Sequence, residues 1–174
     1  MPSPLAPDDP QPASASRVSL AILTHPGQAN FFGTIHGGVV LRLADECGAA
    51  AALRHAGGHG RIITTAAIDS LTFLSPVHVG ERVEIIAEVT CVWNTSLEAR
   101  IEIYAEPMAR AERRKVGVGY GLYVALDETT AKPCPIPPLL IETEADRRRG
   151  ESAQARQETR LARRNEAKAS GELR

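Results

Sequence analysis

The stretch that decides the fold is GVVLRLADECGAAAALRHA, which spans residues 38–56. It contains no proline and is rich in Ala, Val and Leu, so it predicts an α-helix roughly 28 Å long. Its apolar character is interrupted by the charged and titratable residues Arg42, Asp45, Glu46, Arg54 and His55. Because a helix that is apolar nearly all round must be covered by other elements, we expect this helix to be buried. Gly57-Gly58 follows it directly and suits a left-handed C-terminal cap.

Segments on both sides of this helix alternate apolar and polar residues with the period of two that is typical of half-buried β-strands. The predicted strands are residues 19–24 before the helix and residues 62–72, 83–93, 97–106 and 116–126 after it. Asn94-Thr95-Ser96 predicts a hairpin turn between the third and the fourth strand. In the last strand, one face carries Gly117, Gly119 and Gly121, which indicates a close approach by another part of the protein.

The order of these elements predicts the fold class. Adjacent strands that are joined by short turns form an antiparallel sheet. One sheet with one apolar helix buries that helix by wrapping around it. A long buried helix after the first of five strands is the hotdog arrangement, so we predict an α+β protein with a single hotdog domain over residues 17–141. The pattern alone leaves another α+β fold open.

Both ends of the chain are predicted to lie outside this domain. Residues 1–16 contain five prolines among Ser, Ala and Asp, so they bury too little apolar surface to offset their ordering entropy and are predicted to be disordered. Residues 142–174 mix nine Lys or Arg with seven Asp or Glu, which predicts a solvated charged helix or a tail.

Composition restricts the partners and the compartment. A formal net charge of −1 argues against nucleic acid or an anionic membrane as the main partner. No run approaches the roughly 20 apolar residues that cross a bilayer, and the N-terminal segment lacks the pattern of a secretory signal. Cys47, Cys91 and Cys134 have no CxxC spacing, so we expect buried structural thiols and a cytoplasmic location. The histidines show no metal-ligand spacing, so neither a metal nor a redox cofactor is predicted.

The chemistry is predicted to lie in the segment NFFGTIHGG, residues 30–38, and in Asp45 on the helix that follows. Gly37 and Gly38 suit a loop whose backbone comes close to a ligand, and a helix start presents unpaired N–H groups to a polarised carbonyl oxygen. The alternative is that the glycines only permit a tight turn. Asp45 is costly in so apolar a helix unless it is paired, with Arg42 for example, or functional.

The spacing of Gly38 and Asp45 favours a site shared between two copies. Seven residues place them on nearly the same stripe of the helix, about 10 Å apart along its axis. A base and an oxyanion donor must both come within about 3 Å of one reacting centre. Two antiparallel copies of the helix meet this requirement more easily than one, so we expect a homodimer.

Asn30-x-x-Gly33-x-x-His36-Gly37-Gly38, with Asp45 on the helix, resembles the signature of the acyl-CoA thioester hydrolase family of hotdog proteins. The resemblance spans roughly residues 17–146 and continues through residues 61–65, 71–81 and 136–139. It implies hydrolysis of fatty acyl-CoA to a free fatty acid and CoA, with no cofactor apart from the CoA of the substrate. It further implies that Asp45 is the catalytic carboxylate, that Asn30 assists across the subunit boundary, and that dimers assemble into a trimer of dimers.

Several roles stay open at this stage. Asp45 acts as a general base or as a nucleophile. His36 is expected to order the loop or contact the ligand, and Thr65 is a candidate polar group on the strand that faces the helix. The depth of the acyl pocket is expected to depend on Phe31, Phe32, Val39 and Val40. The run Arg147-Arg148-Arg149 is expected to be solvated, with contact to CoA phosphates as the alternative.

Two other classes of function remain as alternatives. One is a non-catalytic hotdog module that binds acyl-CoA as a ligand. The other is a hotdog hydratase or dehydratase, which would use a histidine such as His36 with an acidic residue and would release no CoA.

Overall fold

The structure is a computed structural model that describes residues 9–57 and 60–171. Its strands are β1 (Gln11–Pro12), β2 (Val18–Leu23), β3 (Arg61–Phe73), β4 (Glu81–Val92), β5 (Ser96–Pro107), β6 (Arg114–Asp127) and β7 (Leu139–Leu140). Its α-helices are α1 (Gly37–Ala56) and α2 (Glu144–Ala169), and short 3-10 helices span Ala13–Ser16 and Pro26–Gln28. Within the described residues, no helix has both the length and the apolar character that crossing a membrane requires.

Five strands form one antiparallel sheet in the order β2-β4-β5-β6-β3. The sheet wraps around α1, which contacts each of its five strands. This arrangement confirms the predicted α+β hotdog fold. The five predicted strands and the predicted helix all occur, and their ends differ from the expected ones by at most two residues.

The main core lies between α1 and the middle of the sheet. Its helix side is a stripe of residues three or four apart, which is the spacing that puts side chains on one helix face: Val40, Leu43, Ala44, Cys47 and Ala51. Ile85, Ile101 and Ile103 supply the sheet side and are fully buried. Burying each such side chain contributes about 1.5–3 kcal/mol, so the helix is held mainly by apolar packing. Gly57 ends the helix with a φ of 75°, as the sequence predicts; Gly58 lies outside the described residues.

The glycines of β6 face α1, and their close contacts confirm the expected close approach. A Cβ on Gly119 would lie 2.6 Å from the backbone oxygen of Ser70 on the neighbouring strand. A Cβ on Gly121 would lie 2.5 Å from the hydroxyl oxygen of Tyr123. The glycines therefore make room for a buried tyrosine and for the curved edge of the sheet, since β3 carries two register irregularities here.

The prediction of disorder is wrong for residues 11–16. Strand β1 pairs in parallel with β7, and Ala13 and Ser16 are buried. The physical reason is a polar contact: the Ser16 hydroxyl donates to the Ala13 carbonyl at 2.6 Å and accepts from the Val89 N–H at 2.9 Å. Val89 adjoins a bulge in β4, so Ser16 completes the hydrogen bonding of a buried strand. Residues 1–8 of the predicted segment lie outside the described residues.

Of the two forms expected for the charged C-terminal segment, the structure has the helix, and this helix α2 is solvated on one side only. Thr143 caps its start in a capping box with Asp146. Its inner side faces the sheet surface opposite α1, where Glu98 is 0% exposed. Arg156 donates to both carboxylate oxygens of Glu98 at 2.8 and 3.0 Å, and Arg160 donates at 3.3 Å. A buried carboxylate requires such partners, so this ion cluster ties α2 to the domain.

Candidate functional site

Asp45 lies half-buried on α1, beside the fully buried Ala44. Its Oδ1 accepts a hydrogen bond of 2.8 Å from the hydroxyl of Thr65 on β3. Arg42 does not neutralise it but pairs with Glu46 one turn away, at 3.5 Å. The structure therefore does not contain the Arg42–Asp45 pair, which was the alternative to a functional role, and Asp45 is held by a neutral hydroxyl. Asp45 and Thr65 therefore form a unit whose carboxylate has no cation partner among the described residues, which is what a base or nucleophile needs.

Tyr123 supports this unit from below and could not be assigned to the site from the sequence pattern. The ring is fully buried, and the hydroxyl lies 3.5 Å from the backbone carbonyl oxygen of Asp45, at the long limit of a hydrogen bond. Burial, followed by the negative charge of Asp45, raises the pKa of Tyr123, so the hydroxyl stays neutral. The one sequence feature that points to Tyr123 is Gly48 in the middle of the helix: a Cβ at this position would lie 2.0 Å from the tyrosine oxygen, so only glycine leaves room for it.

Asn30 builds the loop in front of the helix with its own side chain. Its Oδ1 accepts from the Phe32 N–H at 2.9 Å and from the Thr34 N–H at 3.2 Å, and its Nδ2 donates to the Thr34 hydroxyl at 2.9 Å. Gly33, with a φ of 77°, permits the tight turn between them. An amide oxygen has two lone pairs and an amide nitrogen two N–H groups. Asn30 therefore keeps one N–H for a ligand and has no acceptor to spare.

His36 caps α1 and uses one of the two predicted backbone donors. Its Nδ1 accepts from the Gly38 N–H at 3.0 Å, so the ring proton of neutral His36 sits on Nε2. The Gly38 N–H is therefore engaged within the chain, contrary to the expectation that both glycines present free donors. For the Gly37 N–H, the described residues provide no hydrogen-bond partner. Gly37 is thus the donor that the helix start leaves to a ligand.

An apolar cleft opens beside this helix start. Its wall includes Ile35, Gly37, Val40, Phe73, Leu74 and Val77. The Phe73 ring comes within 3.5 Å of a Cβ built on Gly37, so it closes one side of the cleft at the free N–H. Of the residues that were expected to set the depth of the acyl pocket, Val40 lines this cleft and Val39 does not. Phe31 and Phe32 do not line it.

Phe31 and Phe32 project from the tip of the Asn30 loop. They are 98% and 88% exposed, and their rings pack edge to face at 5.9 Å. Two adjacent exposed phenylalanines indicate a surface that contacts another apolar surface.

Comparison with known proteins identifies the family of this chain. The sequence model of the Thioesterase superfamily matches residues 32–112. The cytosolic acyl coenzyme A thioester hydrolase of Rattus norvegicus is 30% identical over 155 residues, which are 88% of this chain and 40% of that protein. The chain thus spans about two fifths of the length of this relative. An uncharacterized acyl-CoA thioester hydrolase of Zymomonas mobilis is 31% identical over 139 residues, 78% of this chain and 91% of that protein.

Solved structures give the same result. A structure of an apo-hexameric acyl-CoA thioesterase superposes with a TM-score of 0.82 at 34% identity, over 89% of this chain and 97% of that one. An acyl-CoA hydrolase of Staphylococcus aureus, in complex with butyryl coenzyme A, coenzyme A and coenzyme A disulfide, gives 0.83 at 28% identity, over 93% and 96%. Structures of that hydrolase also exist with an aspartate, a threonine or an asparagine replaced by alanine. At 31% identity over nearly the whole of the Zymomonas mobilis protein, this chain belongs to the acyl-CoA thioester hydrolase family.

Proposed function

We propose that this chain hydrolyses fatty acyl-CoA to a free fatty acid and CoA, with Asp45 as the catalytic carboxylate and Asn30 contributed by a second copy. The observation that carries the proposal is the Asp45–Thr65 unit. A carboxylate on an apolar helix is held there by a neutral hydroxyl at 2.8 Å. Among residues 9–57 and 60–171 no cation pairs with this carboxylate, so its second oxygen is left for a water molecule or a thioester carbonyl carbon.

The reaction follows from this geometry. Thr65 fixes Oδ1 of Asp45, and Oδ2 takes a proton from water as the water oxygen attacks the thioester carbonyl carbon. The carbonyl becomes an oxyanion, the C–S bond then breaks, and the proton held by Asp45 passes to the departing CoA thiolate. In the other route, Asp45 attacks the carbonyl carbon directly and expels the CoA thiolate, which takes a proton from water; a second water then cleaves the resulting anhydride. After single turnover in ¹⁸O water, ¹⁸O in the Asp45 carboxylate would establish this second route, because general-base catalysis labels the fatty acid alone. Neither route needs a cofactor.

The oxyanion would be met by two N–H groups that have no acceptor in the described part of the chain. One is the remaining N–H of Asn30 and the other is the N–H of Gly37 at the helix start. Gly37 lies about 12 Å along the helix from Asp45 of the same chain, by the rise of 1.5 Å per residue. The carboxylate and the two N–H donors can act on one thioester when Asp45 comes from one copy and the donors come from the other.

The edge of the sheet supports a homodimer of this kind. Strand β3 is 13 residues long and lies at the end of the strand order, paired with β6 on one side. Ile62 and Phe73 on it are half exposed. A long, exposed edge strand is a template for pairing with another chain. A trimer of such dimers is part of the proposal, since two structural relatives are hexameric.

The variants of the Staphylococcus aureus hydrolase support the choice of residues. The asparagine and the aspartate replaced in that protein stand 15 positions apart, as Asn30 and Asp45 do here. A threonine 17 positions beyond that aspartate was also replaced, whereas Thr65 stands 20 positions beyond Asp45, so the support for Thr65 comes from its hydrogen bond to Asp45. A cytoplasmic location remains part of the proposal and is compatible with the name of the rat relative.

His36 disfavours the dehydratase alternative. Its Nδ1 lone pair caps α1 and its remaining proton sits on Nε2, so His36 would lose its cap if it acted as the base through Nδ1. The non-catalytic alternative is separated by turnover. We expect thiol release from short, medium or long acyl-CoA, and Asp45→Asn should lower kcat by at least about a hundredfold while the protein stays folded. Near-normal turnover in this variant would remove Asp45 from the mechanism, and acyl-CoA binding without thiol release would favour the ligand-binding module.

A further inference from the structure

Strand β3 carries two bulges close to the residue that holds the candidate catalytic carboxylate. Ala66 and Asp69 are each an extra residue of β3 that the register with β6 skips. Thr65, whose hydroxyl donates to Asp45, directly precedes the first bulge. A bulge changes the direction of the side chains beside it, and bulges are over-represented next to active sites. The direction of the Thr65 side chain therefore depends on both bulges.

Asp69, the extra residue of the second bulge, projects to the side of the sheet on which α2 lies. Its Oδ2 accepts a hydrogen bond from Nη1 of Arg160 on α2, and the two side chains are 15% and 12% exposed. Arg160 is fixed in turn, because its Nε donates to Gln157 at 3.0 Å and its Nη1 also donates to the buried Glu98 at 3.3 Å. A largely buried ion pair thus holds the second bulge on the α2 side.

Loss of the second bulge would turn Thr65 away from the site. Thr65 now lies opposite the buried Tyr123 and projects toward α1, where its hydroxyl reaches Asp45. If Asp69 took a place in the ladder while the C-terminal half of β3 kept its pairing, the residues before it would shift by one position, and Thr65 would lie opposite Val124. A shift of one residue moves every shifted side chain to the other face of the sheet, so the Thr65 hydroxyl would point away from Asp45.

The acidic side chain of Asp69 opposes that shift. In the shifted register Asp69 would lie opposite Gly121 and project toward α1. A carboxylate on that apolar face would lose both its guanidinium partner and its contact with water, which is costly. The opposite strand fits the present register, since a Cβ on Gly119 would lie 2.6 Å from the backbone oxygen of Ser70. The charge of residue 69 therefore favours the register that brings Thr65 to the site.

We propose that Asp69, held by Arg160, is a positioning residue for the thioesterase reaction. Its carboxylate keeps the second bulge in place, and the bulge keeps the Thr65 hydroxyl on Asp45. Asp69 projects to the face of the sheet opposite α1, so its effect on kcat passes through Thr65. The effect on turnover rests on the proposed function, whereas the effect on the register of β3 is independent of it.

The substitution Asp69→Leu in the full chain tests the proposal, because leucine cannot bind Arg160 and suits the apolar face of the sheet. At saturating acyl-CoA, kcat should fall as far as in Thr65→Val, which is about tenfold or more for the loss of one hydrogen bond to a charged group. Asp69→Asn keeps an oxygen for Arg160 and should recover most of kcat.

Glu88→Leu is the matched control, because it makes the same exchange at another acid that binds α2. Glu88 pairs with Arg149 at 3.6 Å, but its own residue has a regular partner on β5, Arg100. The value of kcat should therefore not change in Glu88→Leu, and a loss as large as that in Asp69→Leu would overturn the proposal.

Two readouts separate positioning from a general loss of structure. In a Thr65→Val background, Asp69→Leu should cause no further loss of kcat, since the two changes remove one interaction. A further loss as large as that in the wild-type background would show that Asp69 acts by another route and would overturn the proposal. A crystal structure of Asp69→Leu should place Thr65 opposite Val124, and an unchanged hydrogen bond between Thr65 and Asp45 would also overturn it.

The crystal structure also keeps this inference separate from the thioesterase proposal. Absent thiol release from the wild-type chain would end the thioesterase proposal, whereas the pairing of Thr65 in the variant would still decide whether Asp69 sets the register. If Asp69→Leu does not fold, Asp69→Ala removes the ion pair without adding bulk and takes the same two readouts.

Discussion

The Asn30 side chain has one N–H group left once its own loop is built, and the substitution Asn30→Asp removes that group while keeping the loop. An aspartate retains an Oδ1 that can accept from the N–H groups of Phe32 and Thr34, which lie 2.9 and 3.2 Å from Oδ1 of Asn30. Its second oxygen can accept from the Thr34 hydroxyl, which is the acceptor of the present 2.9 Å bond. What disappears is the donor to the oxyanion, and a negative charge stands in its place.

The loss of one oxyanion donor costs about 2.7–4 kcal/mol of transition-state stabilisation, so kcat should fall by about a hundredfold to a thousandfold. Thiol release from acyl-CoA under saturating conditions measures this, with the thermal unfolding midpoint as the test that the loop is intact. The matched control is Thr34→Val, which removes the hydroxyl that accepts from Nδ2 of Asn30 but leaves both N–H groups of Asn30 in place.

We expect a smaller loss in Thr34→Val, about tenfold for one hydrogen bond, and recovery in Thr34→Ser, which restores the hydroxyl. If Asn30→Asp kept kcat within about threefold of wild type, the amide would not stabilise the oxyanion. If Asn30→Asp lost activity together with several degrees of thermal stability, the asparagine would be structural and the oxyanion role would be unsupported.

Two further predictions concern the shared site and a buried histidine. Unfolded Asn30→Asp and Asp45→Asn chains, mixed and refolded together, should regain about one quarter of wild-type activity. The reason is that about half of the dimers contain one chain of each kind, and each such dimer has one intact site out of two. No recovery would mean that both residues of a site come from one chain. Burial lowers the pKa of His55, so below about pH 6.5 the unfolded chain binds a proton that the folded chain does not bind. The free energy of unfolding should therefore fall by up to about 1.4 kcal/mol for each pH unit below about 6.5. Urea unfolding between pH 7.5 and 5.5 measures this slope, and His55→Gln should lessen it; an equal slope in both proteins would assign it to other groups.

The sequence predicted the central helix and the five strands of the main sheet because their signal is local. An apolar run without proline and a period of two are both properties of neighbouring residues, and Gly57 marks the helix end by its own backbone conformation. Asn30 and Asp45 were selected by a motif of similarly short range. The roles of these two residues remain predictions until turnover is measured.

Features that depend on contacts between distant residues could not be predicted in this way. Tyr123 lies 78 residues from Asp45 in the sequence, and only the folded sheet brings its hydroxyl beneath the helix. Glu98 occupies a polar position of an alternating strand, which predicts exposure, yet α2 covers it with Arg156. The Gly38 donor was misjudged for a different reason: the cap by His36 depends on a side-chain rotamer, which residue spacing does not specify.

The fully buried Glu98 bears on where a recombinant fragment of this protein can end. A fragment stopped at residue 141, the end of the predicted domain, would present an unpaired acid in the middle of a sheet surface. The acid would lose both of its guanidinium partners, and the part of the sheet that α2 covers would be exposed to water. Fragments meant for crystallisation should therefore carry the C-terminal helix at least through Arg160, and trimming beyond Ala169 is the safer way to shorten them.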